Sequence, residues 1–180
     1  MIILTAGHTG PNSGAQCATT QFDEGAENIW LRNRIAEILT NDYGLVVLVD
    51  EDKATLQLVK KRIELDAPHI DFVIDLHFNA HTNPNARGTE AIVANDATKL
   101  ELRFASRLAH TTSDALDIPL RCIKSESQTP HRRLAMLHLT PQSIILEVCF
   151  CTSPEDVEAY RKNREKLAAD LAWAIAELIE

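Results

Sequence analysis

Short, nearly unbroken apolar segments alternate along this chain with longer stretches whose apolar residues recur at helical spacing. That alternation restricts the possible folds more than any other feature. "MIILTA" opens the chain and breaks at Gly7; "LVVLVD", "DFVIDLHF", "GTEAIVA" and "SIILEVCF" follow at intervals. Between them, Leu31, Ile35, Ile38 and Leu39 fall on one face of a helix that stops near Gly44. Leu56, Val59 and Ile63 define a second helical face, and Leu100, Phe104, Leu108 and Ala115 a third. Leu167, Leu171, Ile175 and Leu178 line a closing helix with Pro154 in its first turn. Strands that are apolar on both faces must be covered on both sides. The pattern therefore predicts an α/β fold of three layers, with a mostly parallel mixed sheet of about six strands and helices on both faces. No repeat or linker interrupts it, so residues 1–180 read as a single domain, and 45% hydrophobic residues suffice for its core. The least regular stretch is "DIPLRCIKSESQTPHRRLAML".

A formal net charge of −8 argues against general binding to nucleic-acid phosphates or to an anionic membrane, both of which need clustered Lys and Arg. No segment approaches the roughly 20 apolar residues that cross a bilayer. The opening run lacks a basic flank and a cleavage-like site, so it reads as a strand, and the product is expected in the cytoplasm as synthesised. Cys17, Cys122, Cys149 and Cys151 are too irregularly spaced for a disulfide scaffold; Cys149 and Cys151 are expected to be reduced packing residues.

In parallel sheets the chemistry collects at the carboxyl ends of the strands. Three apolar strands here carry polar groups towards such ends: "IILTAGH" delivers His8, "VIDLHFN" delivers His77 and Asn79, and "IILEVCF" holds Glu147. Alternation puts Phe72, Ile74, Leu76 and Phe78 on one face of the middle strand, and Val73, Asp75, His77 and Asn79 on the other. A carboxylate inside "SIILEVCFC" is costly to bury unless it is paired, protonated or near a metal. From the first helix, Glu27 lies on the inward stripe with Leu31 and Ile35; Glu24 competes for that place but is set off by Gly25. Each residue also has an ordinary reading: loop or core histidine, buried salt bridge, first-turn carboxylate. Taken together, two imidazoles and a carboxylate form a catalytic zinc set with its fourth position open.

"TAGHTGPNSGA", "EGAENIWLRNRIAEIL", "IDLHFNA", "RGTEAIV" and "SIILEVCFCTSPEDVEAY" occur in that order and span nearly the whole chain. The sequence thereby resembles the zinc-dependent N-acetylmuramoyl-L-alanine amidases, which act on peptidoglycan. The resemblance implies Zn2+ held by His8, Glu27 and His77, with Glu147 as the catalytic acid–base. The partner it implies is peptidoglycan, with neither nucleic acid nor membrane. Asn79 is a candidate substrate contact, and so are Arg132 and Arg133 in the irregular segment, where guanidinium groups could meet stem-peptide carboxylates. A compact chain without a leader looks like a phage or prophage lysin, acting on the cell wall after holin-type release. Two other readings compete: a non-catalytic peptidoglycan-binding module of the same fold, and a thiol hydrolase using Cys149 or Cys17.

Overall fold

In the computed structural model, residues 1–8, 14–17, 19–52, 56–83, 85–139 and 142–179 are described, with Gln16, Leu56 and Ala67 by backbone alone. The expected inward place of the Leu56 side chain therefore lies outside the described residues. In chain order the elements are β1 (Ile2–Ala6), β2 (Gln16–Cys17), β3 (Phe22–Asp23), α1 (Glu24–Asn41), β4 (Val47–Val49), α2 (Leu56–Asp66) and β5 (Phe72–Asn79). There follow β6 (Thr89–Val93), α3 (Lys99–Leu116), β7 (Leu120–Ser125), β8 (Ser143–Phe150) and α4 (Pro154–Ile179).

Six strands make one sheet in the order β4-β1-β5-β8-β6-β7, and β2 pairs with β3 in a separate hairpin. The first four run parallel; β6 lies antiparallel to β8, and β7 runs parallel to β6. The mixed three-layer α/β arrangement is thus the one the alternation predicts. One face carries the main core, where Ile2, Leu4, Phe72, Ile74, Leu76, Ile144 and Leu146 pack against apolar residues of α1, α3 and α4. The other face is covered more thinly. Ile3 and Val73 meet Val59 and Ile63 of α2, while Ile92 and Ile145 meet Leu137 in a 3-10 turn at Ala135–His138.

Four local differences from the sequence reading have physical reasons. Helix α1 begins at Glu24 rather than beyond Gly25, because the Asp23 side chain caps it by accepting from the Ala26 N–H at 3.2 Å. The sheet edge β7 comes from the irregular stretch, where "LRCIKS" is too mixed in polarity to show strand periodicity. Leu100 is exposed at the start of α3 instead of joining Phe104 and Leu108 in the core. Cys151 is not a reduced packing residue. It forms a disulfide with Cys17 across Cα atoms 6.1 Å apart, because the β2–β3 hairpin folds beside the end of β8. Cys149 is a free, buried thiol, as expected. Among the described residues, no helix is long and apolar enough to cross a membrane.

Candidate metal centre and catalytic cleft

Strand β1 ends one residue before Gly7, and the turn delivers His8 to the carboxyl end of the sheet. On the adjacent β5, His77 is the sixth residue of the strand and faces the same end. The N-terminus of α1 brings Glu24 between them. Glu24 Oε1 lies 3.8 Å from His8 Nε2 and 3.6 Å from His77 Nδ1. One ligand atom from each of the three residues falls within 4.8 Å of the others. A tetrahedral zinc site with bonds of about 2.0–2.2 Å separates its ligand atoms by roughly 3.3 Å, so small side-chain movements would close this set onto an ion. The donor types, two imidazole nitrogens and one carboxylate oxygen, also fit zinc.

Glycine makes the approach possible at two positions. A Cβ on Gly7 would lie 1.9 Å from His77 Nε2, and one on Gly14 would lie 2.5 Å from Glu24 Oε2 and 2.7 Å from the His8 ring. Only hydrogen fits at either place, and Gly14 also adopts a positive φ of 77°. Glu24 is held by the backbone as well. Its Oε2 accepts from the Ala15 N–H at 2.6 Å, and its Oε1 from the Phe78 N–H at 3.1 Å.

Glu27, the expected third ligand, is not in this cluster. Its Oε2 accepts from the Tyr160 hydroxyl and from Arg164, each at 3.1 Å, so it ties α1 to α4. The helix starts three residues earlier than the sequence reading placed it. Residues at i and i+3 share a helical face, so periodicity could not separate the two glutamates, although they sit about 4.5 Å apart along the axis.

Glu147 stands in register with His77 across the β5–β8 pair and lines the same cleft as His8, Glu24 and His77. Its Oε2 is buried without a hydrogen-bond partner. Burial raises the Glu147 carboxyl; His77 lowers it, Glu24 raises it, Lys124 lowers it and Glu90 raises it, leaving it at about 7. The same surroundings act differently on the ligands. Burial pushes Glu24 up, but the hydrogen bonds from His77 and Ala15 outweigh it and hold the carboxyl below its ordinary value. Burial pulls the His77 ring down, yet the charge and hydrogen bond of Asp75, then Glu24 and Glu147, leave it well above its ordinary value.

The cleft, about 940 Å³, runs from the histidines to a far wall formed by Ile92, Ile145, Lys124 and the segment containing Thr129, His131, Leu134 and Met136. Asn79 lines it but is engaged in the protein, donating to Glu90 Oε2 at 3.2 Å and accepting from the Ala80 N–H at 2.8 Å. Arg132 and Arg133 are exposed and do not line the cleft; His131, beside them, does. Arg132 holds a positive φ of 58° in the turn that separates these neighbours. The sequence gives Glu90 no role, and Lys124 stands there only among the basic residues of the irregular segment, with Arg121, Arg132 and Arg133. Buried Glu90 pairs with Arg121 and Lys124, whose attachment to β7 was invisible without that strand. No cysteine lines the cleft. Burial, followed by the charges of Asp156, Glu147 and Glu27, pushes the Cys149 thiol well up, which removes it as a nucleophile.

An α/β sheet whose strand ends bring two histidines and a buried acid beside a helix-borne glutamate offers the donor set of a hydrolase-type metal site. The sequence comparison makes the class specific: residues 2–180 match the N-acetylmuramoyl-L-alanine amidase family, and the chain belongs to that family of peptidoglycan amidases. Solved structures agree. A protein from Neisseria meningitidis described as an N-acetylmuramoyl-L-alanine amidase superposes with a TM-score of 0.82 at 26% identity, over 99% of this chain and 94% of that one. The N-acetylmuramoyl-L-alanine amidase of Clostridium difficile 630 gives 0.75 at 23% identity, over 99% and 93%. The catalytic domain of the CD27L endolysin, which targets Clostridia difficile, gives 0.73 at 20% identity, over 98% and 96%. No curated protein sequence matches the chain.

Proposed function

We propose that this enzyme hydrolyses the amide between the lactyl group of N-acetylmuramic acid and L-alanine of the stem peptide, with zinc held by His8, Glu24 and His77 and with Glu147 as proton shuttle. The observation that carries the reading is the convergence of three ligand atoms within 4.8 Å, beside a buried acid in register with His77. When bound, zinc supplies a Lewis acid for the carbonyl oxygen and brings the pKa of water from about 16 towards 7. Glu147, ionised, accepts the proton of the attacking water as its oxygen bonds to the carbonyl carbon. The same carboxyl then gives that proton to the alanine nitrogen as the C–N bond breaks, releasing a lactyl carboxylate and a free amine. Burial lifts the Glu147 carboxyl to about 7 before any cation is bound, which suits a group that must accept a proton and give it back. Lys124 and His131 on the far wall are the groups best set to meet stem-peptide carboxylates, a role the sequence reading gave to Arg132 and Arg133.

Metal analysis combined with a peptidoglycan-hydrolysis assay tests this. One zinc per chain is expected in both wild type and Glu147→Gln, with turnover reduced about 100- to 10,000-fold in the variant. Equal turnover in the two forms would remove Glu147 from the chemistry. Failure of the wild type to take up zinc would remove the metal.

A further inference from the structure

The proposed chemistry leaves the buried carboxylate of Asp75 without a role. It is a carboxylate in the middle of an apolar strand, between Ile74 and Leu76, and only 3% exposed. Such a group is costly to bury without a purpose. Its two oxygens are separately engaged. Oδ2 lies 3.1 Å from His77 Nε2, and Oδ1 accepts from the Thr5 hydroxyl at 2.7 Å. Thr5 and Asp75 are direct partners in the β1–β5 register, so backbone pairing fixes their separation. On its other side the His77 ring lies against Gly7, where even a Cβ would come within 1.9 Å of Nε2. Asp75 thus occupies the ε edge of the ring and Gly7 lies against its face, while the δ edge faces Glu24 Oε1 at 3.6 Å.

We propose that Asp75, braced by Thr5, is a positioning residue that fixes His77 as the Nε2–H tautomer, so that the lone pair of Nδ1 points at the metal. The inference rests on the reading of His8, Glu24 and His77 as a zinc set. An ionised carboxylate is an acceptor only, so a ring nitrogen bonded to it carries the hydrogen. Nδ1, on the opposite side of the ring, is then the nitrogen that gives up its hydrogen and coordinates when a cation binds. The chain of contacts runs from Thr5 through Asp75 to His77, each link set by neighbouring strands, and orients the ring before any ion arrives. The negative charge behind the ring also strengthens Nδ1 as a donor.

The test uses the full chain labelled with 15N-histidine and a chromophoric chelator competing for zinc. In the zinc-loaded wild type, long-range 1H–15N spectra are expected to show His77 carrying its hydrogen on Nε2, with Nδ1 as the metal-bound nitrogen. Asp75→Asn should weaken zinc affinity about 10- to 100-fold. Thr5→Val should act in the same direction and by less, with little change in thermal midpoint. A zinc-binding wild type whose affinity is unchanged in Asp75→Asn would overturn the proposal, and so would a His77 ring carrying its hydrogen on Nδ1. The second result is read on the wild type alone and stands even if the Asp75 variant fails to fold. A wild type that binds no zinc, yet whose Nε2 proton signal is lost only in Asp75→Asn, would instead count against the zinc reading and leave the orienting contact supported.

Discussion

Leu146 and Glu147 are neighbours on β8 and face opposite sides of the same sheet. Leu146 is fully buried in the large cluster shared by α1, α3 and α4. Glu147 opens onto the cleft, where the cover is thin and the lining is rich in titratable groups. The same contrast runs along β5, with Ile74 and Leu76 on the packed face and Asp75 and His77 on the other. The period of two in a strand lets one element serve stability and chemistry at once, provided helices are crowded on one side and sparse on the other. Damage to the two faces should therefore show in different measurements.

Four measurements test that contrast. The largest effect is expected for Leu146→Ala, at about 2–5 kcal/mol of unfolding free energy in denaturant titration, with zinc stoichiometry of the folded fraction unchanged. If this variant lost metal without losing stability, the division between the faces would not hold. Gly7→Ala is the converse case. The new methyl must displace the His77 ring, so a drop in zinc affinity of at least 10-fold is expected by chelator competition, larger than any change in thermal midpoint.

Next in size is the wall of the cleft. Glu126, fully buried, accepts from the Leu134 N–H at 2.7 Å and contacts His138 Nε2 at 2.9 Å, fastening the segment that carries His131 and Met136. Glu126→Ala should cost about 1–3 kcal/mol, since its donors lose their acceptor. Burial raises this carboxyl, but the Leu134 and His138 hydrogen bonds hold it below its ordinary value of 4.5. A carboxyl depressed by folding contributes stability above its unfolded value, and that contribution fades as pH falls through the folded one. Wild-type stability should therefore decline below about pH 4.5, and Glu126→Gln should flatten the decline; parallel pH profiles would dismiss the contribution. The smallest effect is expected for Arg132→Ala with Arg133→Ala. Both residues are exposed, so stability should stay within about 0.5 kcal/mol. KM on muramyl peptides should change less than for Lys124→Ala, and the reverse order would return the substrate role to the arginines.

The readable part of this molecule was the part written in short-range pattern. Apolar runs and helical spacing located four of the parallel strands and the long helices. The rule about strand ends drew His8, His77 and Glu147 out of an otherwise ordinary sequence. The alternation on β5 even put Asp75 beside His77, though nothing in the string says that Thr5 pairs across to it. What pattern could not settle was position along an axis and contact across distance. Glu24 and Glu27 share a helical face, and the Asp23 cap, which starts the helix at Glu24, sets which one lies beside the histidines. Edge strand β7 carries alternating charge and apolar character too weak to register as a strand, so Lys124 reads as a loop cation and its hold on Glu90 is not legible. The Cys17–Cys151 bond joins residues 134 apart, beyond the reach of any local signal.

That bond has a topological result. It turns most of the chain into a closed ring, with β1 and its His8 on one free arm and α4 on the other, while Glu24, His77 and Glu147 belong to the ring. In the chain-entropy account, closing so long a loop restricts the denatured ensemble by roughly 4–5 kcal/mol. A single protease nick in any loop of the ring would leave the two halves in one covalent piece, separable only after reduction.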